Sequence, residues 1–173
     1  EQSVKEYVSE LANVYRYVLR YKNIDTATIE QELNFIDSYL YIIKMRLEDA
    51  IEIAINVDEQ VFNKKIPPLT LQLLVENAIK HNTATPENPL TTKILIKADQ
   101  VIISNNLQKK LTAEPSTKFG LNYLQSIYNY YSKNEFETSE KDGYFVCTLP
   151  LLSIHSLKKS IHSLFFFCCT KIK

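Results

Sequence analysis

Four side chains able to do chemistry lie close together in the stretch I-P-P-L-T-L-Q-L-L-V-E-N-A-I-K-H-N, from Ile66 to Asn82. They are Glu76, Asn77, Lys80 and His81. Asn77, Lys80 and His81 share one face of a helix by their spacing, and Glu76 is one step round. An amide oxygen such as that of Asn77 is a hard ligand that completes a Mg²⁺ shell alongside phosphate and water. Lys80 and His81 supply positive charge and donors for phosphate oxygens. Glu76 supplies a carboxylate to accept a proton from a nucleophile or to orient it. The set therefore suits a magnesium-bound nucleotide. It also fits a core helix that carries a solvated polar stripe.

The element that must hold these groups is a helix. Leu71, Leu74, Val75 and Ala78 recur at i, i+3, i+4 and i+7, which makes one apolar face. Pro67 and Pro68 suit a helix start, where a missing N–H costs nothing. The segment L-Q-L-L-V-E-N-A-I-K-H-N resembles the N box of the GHKL ATPases. It is most similar to that of bacterial sensor histidine kinases, which reads L-Q-P-L-V-E-N-A-x-K-H. The resemblance covers roughly residues 1 to 150.

Upstream, Val4, Val8, Leu11, Tyr15 and Val18 alternate steps of four and three, and so do Ile29, Leu33, Ile36, Leu40, Ile43 and Leu47. Such heptad seams belong to helical hairpins and coiled coils. Thr28 with Gln31 reads as a capping box for the second helix. The pair is either two amphipathic helices packed on one domain or a dimerising, signal-input stalk. Y-V-L-R-Y (17–21) and Y-L-Y-I-I-K-M-R-L (39–47) resemble the segments that join the phosphoacceptor histidine to the ATPase in these kinases. The family's N-P-H-F-x-F-N acceptor box is not found: the histidines are His81, His155 and His162. The expectation is a piece of a longer protein whose acceptor helix lies before Glu1.

Ile51, Ile53, Ile55 and Val57 alternate with polar or small residues, which predicts a half-buried strand. Residues 83–91, with Pro86 and Pro89, read as a loop. Strands follow at 93–98 and 101–104 around a tight turn at Asp99 and Gln100. Where the family carries Asp-x-Gly for adenine, this chain has Asn105 and, in place of the glycine, Leu107. An amide oxygen still accepts from adenine but brings no charge, a loss on the order of 1 kcal/mol. Residues 108–118 resemble the family's mobile lid over the nucleotide. Phe119-Gly120-Leu121 opens a helix with an apolar face of Leu121, Leu124, Tyr128 and Tyr131. A glycine at a helix start lets backbone N–H groups approach an anion. The family's G-x-G-L is altered here by Lys118, and the usual arginine at the helix end is absent from 126–131. A closing hairpin is predicted at 134–140 and 144–149 around Asp142-Gly143.

Strand, helix, hairpin, helix, hairpin gives an α+β fold: a mixed sheet with helices on one face, preceded by a helical hairpin. The resemblance implies the GHKL histidine-kinase ATPase sandwich. The expected units are a helical stalk at 1–48, an ATP-binding catalytic domain at 50–150 and a tail at 151–173. Twenty basic residues balance twenty acidic ones, so the basic excess of a nucleic-acid binder is missing. Three cysteines, two of them adjacent, make neither a disulfide framework nor a metal site and favour a reducing compartment. No apolar run reaches the length that spans a bilayer; Ile161 to Cys169 is too short.

The resemblance implies ATP and Mg²⁺ as ligands, Glu76 as base, and Asn77 at the metal. It places Lys80, His81, Gly120 and Leu121 at phosphates and Asn105 at adenine. It also implies a response regulator as partner, a homodimer in the full-length protein, and a position on the cytoplasmic side of the bacterial inner membrane, attached through segments outside this chain. The chain itself is expected to bind nucleotide without phosphorylating itself. The departures at Asn105, Leu107 and Lys118 leave a second expectation, a nucleotide-sensing or inert dimerising scaffold of the same fold.

Overall fold

A computed structural model describes residues 2–22, 24–110, 119–131 and 136–152. Helix α1 (Gln2–Tyr21) and helix α2 (Ile29–Leu47) form a hairpin. Between them lies β1 (Ala27–Thr28), which pairs antiparallel with β3 (Lys65–Ile66). The capping box is present: Gln31 N–H donates to Thr28 Oγ1 at 3.1 Å, and Thr28 N–H donates to Gln31 Oε1 at 2.9 Å. The seam read on α2 is turned inward, with Ile29, Ile36, Leu40 and Ile43 buried. The seam read on α1 is not. Val4 and Tyr15 are each 63% exposed, while α1 meets α2 through a different stripe that includes Tyr17 and Tyr21. The Tyr17 ring stacks on Phe35 of α2 at 4.2 Å between centroids. Aromatic area outweighs the smaller valines here, so the aromatic stripe takes the buried side.

The main sheet has the order β2-β4-β5-β7-β6, from β2 (Ile51–Val57), β4 (Leu90–Lys97), β5 (Gln100–Asn106), β6 (Glu137–Lys141) and β7 (Tyr144–Pro150). Strands β2 and β4 run parallel and the other neighbours antiparallel. The predicted mixed sheet is thus observed. Helix α3 (Thr70–His81) makes the crossover between the parallel strands, and α4 (Phe119–Tyr131) joins β5 to the closing hairpin. Leu71, Leu74, Val75 and Ala78 of α3 and Leu124 and Tyr128 of α4 are buried against Ile94, Ile96, Val101, Ile103, Cys147 and Leu149 of the sheet. The hairpin turns fall where left-handed backbone is found, at Ala98 (φ 52°) and at Asp142-Gly143 (φ 50° and 78°). The second suits the two-residue turn that matches strand twist.

Several boundaries differ from the sequence reading. Strand β4 begins at Leu90, inside the expected loop, because its parallel register with β2 starts at Ile51↔Leu90. Strand β5 runs on to Asn106, since β7 pairs along its whole length. The prolines precede α3 rather than open it. Leu69 follows them in the left-handed region (φ 66°) and gives α3 no side-chain cap. The expected lid falls largely on residues 111–118, and the tail on 153–173; both lie outside the described residues.

Helix α3 is instead held from outside at both ends. At its start, Glu32 of α2, with 0% exposure, accepts from Leu69 N–H at 2.7 Å and from Leu71 N–H at 3.1 Å. Tyr17 of α1 donates its hydroxyl to the same carboxylate. At the end of α3, buried Asn82 donates to Ala78 C=O at 2.8 Å and accepts from Gln108 N–H at 2.7 Å. Thr83 N–H donates to Gln108 C=O at 2.8 Å, and Lys110 N–H to His81 C=O at 3.2 Å. The chain leaving β5 is thereby stitched to the last turn of α3.

Replacing Glu32 by Ala strands two backbone donors and the Tyr17 hydroxyl in the core. Urea denaturation should show a loss of about 3 kcal/mol. Burial pushes the Glu32 carboxyl above its usual range, against the pull of its donors. A carboxyl raised in the folded state favours folding most when protonated, and this contribution fades as pH rises through the folded value. The stability of wild type relative to Glu32→Gln should therefore grow as pH falls from neutrality toward the ordinary carboxylate range. Asn82→Ala should cost roughly 1–2 kcal/mol and accelerate hydrogen exchange at the Gln108 amide, read by NMR.

Candidate functional site

The outward side of α3 carries the groups singled out from the sequence. Glu76 and Lys80 are exposed, and Asn77 and His81 half-buried. The Asn77 amide makes no side-chain hydrogen bond to a described residue. That leaves its oxygen available to a hard cation, which the amide is chemically suited to ligate. Glu76 is fixed by two donors, the Tyr39 hydroxyl of α2 at 3.1 Å and Gln72 Nε2 one turn earlier on α3 at 2.8 Å. Lys110 reaches back from the stitched segment and donates Nζ–H to Ile79 C=O at 3.1 Å. It brings a cation to the carbonyl end of α3, where the helix dipole favours one.

The N-terminus of α4 is brought to the same helix. A Cβ placed on Gly120 would meet Leu73 Cδ2 at 3.6 Å, and Leu73 is one turn before Asn77. Gly120 therefore lies beside the polar stripe of α3, although its backbone does not require glycine. The Leu121 side chain packs on the core, so only its backbone remains for a ligand.

Asn105 is 3% exposed and lies near the end of β5 on the side of the sheet that the helices cover, with Val101 and Ile103. Its Nδ2 donates to Asn106 C=O at 2.8 Å, which leaves Oδ1 as an uncharged acceptor. Across the strand pair stands Thr92, fully buried, whose hydroxyl finds no partner among the described residues. A buried hydroxyl without a partner is uncommon and costs on the order of 1–3 kcal/mol. Asn105 and Thr92 together form a polar notch in an otherwise apolar face. Among the described residues no cluster of histidine, cysteine and carboxylate groups suits a metal on its own. A cation here would need ligands from its own anion as well as from Asn77.

Sequence reasoning did not find Tyr39, Gln72, Asn82, Gln108, Thr92 or Lys110. Gln72 is four residues before Glu76, and that spacing was a usable signal. Thr92 was hidden in a strand, and the others act across 26 residues or more.

Residues 1–51 match the histidine kinase family. The sensor protein LytS of Staphylococcus saprophyticus is 30% identical over 97 residues, which cover 56% of this chain and 16% of that protein. The sensor protein kinase HptS of Staphylococcus aureus is 35% identical over 89 residues, 51% of this chain and 17% of that protein. The chain thus spans about a sixth of the length of these curated relatives. Among solved structures, the cytoplasmic segment of histidine kinase QseC superposes with a TM-score of 0.53 at 17% identity, covering 84% of this chain and 90% of that one. The histidine kinase domain of the Erythrobacter litoralis EL346 blue-light activated kinase superposes with a TM-score of 0.50 at 11% identity, covering 91% and 77%. At such identities the structures speak to the fold alone, and the sequence relatives speak to the family. Taken together, the match over residues 1–51, the sequence relatives and the shared α+β fold make this chain similar to a part of the sensor histidine kinases.

Proposed function

We propose that the chain is the ATP-binding and phosphoryl-transferring region of a two-component sensor histidine kinase. The observation that carries this reading is the outward stripe of α3, on which Glu76, Asn77 and Lys80 sit while the helix is pinned at both ends and flanked by Gly120 of α4. In this reading Asn77 ligates Mg²⁺, which neutralises phosphate charge when bound. Lys80 and His81 meet phosphate oxygens, joined by backbone N–H groups at Gly120 and Leu121. The Asn105 amide oxygen accepts from the adenine amino group. A nucleobase edge would also relieve the orphaned Thr92 hydroxyl. Glu76 is the base for an acceptor histidine outside this chain, and the phosphoryl group passes on to an aspartate of a response regulator. Positioning and charge neutralisation carry such transfers.

The domain boundaries follow the same reading: a stalk at 1–48, the catalytic domain at 50–150 and an appendage at 151–173. The full-length protein would work as a homodimer at the cytoplasmic face of a bacterial membrane. No described helix is long and apolar enough to cross one.

The exposed seam of α1 favours a second reading. Val4, Val8, Tyr15 and Val18 form an apolar stripe left exposed by the described residues, as a dimerising scaffold would need. With the uncharged Asn105 acceptor, such a scaffold would sense nucleotide weakly or not at all. Calorimetric titration with a non-hydrolysable ATP analogue and Mg²⁺ separates the two. The kinase reading expects micromolar to low-millimolar binding that Asn77→Ala weakens by about tenfold or more. It also expects Glu76→Gln to bind as the wild type does. Absence of heat in the wild type would leave only the scaffold.

A further inference from the structure

The Glu76 carboxylate is anchored on one side only. Both of its donors, the Tyr39 hydroxyl and Gln72 Nε2, meet the same oxygen, Oε1. Oε2 accepts from no described residue. The two donors differ in kind. Gln72 is a half-buried neighbour one turn away on the same helix, with its Oε1 buried and without a partner among the described residues, so it is attached only through its own unbranched side chain. Tyr39 belongs to another helix, and its ring lies in the core beside Phe35, with 6.5 Å between centroids. A ring packed among core side chains is fixed better than an unbranched side chain at the core's edge. The Tyr39 hydroxyl is therefore the rigid member of the pair. Burial, and after it the charge of Glu76, holds this phenol above its ordinary range, so it stays protonated and donating at any working pH.

We propose that Tyr39 is a positioning residue for Glu76: it fixes Oε1 so that Oε2 faces the incoming acceptor imidazole. This rests on the reading of Glu76 as the base. In the step concerned, one imidazole nitrogen forms a bond to the γ-phosphorus. The bond from that phosphorus to the β,γ-bridging oxygen breaks, and its electron pair leaves with ADP. The proton on the other imidazole nitrogen goes to Oε2. A carboxylate free to rotate would present Oε2 correctly only part of the time, and a misplaced base loses rate without losing nucleotide affinity. The arrangement of a base oriented by a third group recurs wherever a base must meet one particular atom.

Tyr39→Phe tests the idea, since it keeps the packed ring and removes only the hydroxyl. The assay is autophosphorylation of the full-length protein carrying this chain, with γ-labelled ATP and Mg²⁺. Wild type, Tyr39→Phe, Glu76→Gln and the double variant are compared. The expected result for Tyr39→Phe is a kcat lower by about tenfold, with KM for ATP within about twofold of wild type. Glu76→Gln should lose about a hundredfold or more. The double variant should fall no further than Glu76→Gln alone, because the hydroxyl acts only through that carboxylate. Tyr39→Phe at wild-type or higher kcat beside an inactive Glu76→Gln overturns the positioning role and leaves the base in place. Losses that simply add in the double variant overturn it as well. Glu76→Gln at wild-type kcat, or a wild-type protein that takes up no label, overturns the base and the positioning role together.

Discussion

Taking a carboxylate out of water costs several kcal/mol unless donors surround it, and Glu32 is buried among them. Leu69 and Leu71 give it their backbone N–H groups and Tyr17 its hydroxyl. The reason lies in α3. Its start follows two prolines, and Leu69 takes a left-handed conformation that leaves the first turn without a cap of its own. Unpaired N–H groups there would be buried at a cost similar to that of a lost hydrogen bond. One carboxyl on α2 answers both needs in part: the uncapped N–H groups gain an acceptor and offset some of the cost of its burial, which still holds it above its usual range. The Glu32 charge is also felt by Tyr128 of α4, second only to burial in raising that phenol. Helices α1, α2 and α3 thus meet at this group, and the helix bearing the site depends on the hairpin that precedes it.

At its other end α3 depends on the sheet. Asn82 bridges the last turn to Gln108, a short distance past the end of β5. Asn105, Thr92 and the polar stripe of α3 are therefore parts of one rigid frame. The ends of strands and helices, where backbone groups lack regular partners, are where such a frame can present unpaired atoms to a ligand. The orphaned Thr92 hydroxyl and the singly bonded Asn105 amide are such atoms, on the buried side of the sheet.

Much of this frame was legible in the chain. The apolar face of α3, the capping box at Thr28, the face of α4 and the Asp142-Gly143 turn rest on local spacing, and the structure keeps each of them. Glu32 was not legible, because a glutamate between apolar seam positions reads as solvated, and the groups that make its burial tolerable come from 37 and 39 residues away. For the same reason the prolines suggested a helix start at themselves, whereas the real start is set by a distant side chain. The α1 seam left its partner open. Heptad spacing says that a face is apolar but not which partner covers it, and the tyrosine stripe on the same helix offered more area to α2. Of the candidate site, residue types and their common helix were readable. The orienting contacts to Glu76 and the stitch at Asn82 were not, since both join distant parts of the sequence.

The two grips of α2 on α3 have matched spacing. Glu32 and Tyr39 are seven residues apart, about two turns on one helix face. They meet α3 at Leu69 and Leu71 and again at Glu76. Two rigid helices joined at two such points cannot slide by a fraction of a turn and keep either bond, because hydrogen bonds weaken steeply with distance and angle. A shift of α2 would thus uncap α3 and release Glu76 in the same motion. Loss of the cap is the costlier half, since it leaves buried donors and a buried charge unpaired together. The grip at Glu76 lies near the surface and is the weaker of the two. Tyr39 orients the exposed carboxylate, and the Glu32 cap two turns away keeps α2 and α3 in the register that lets it do so.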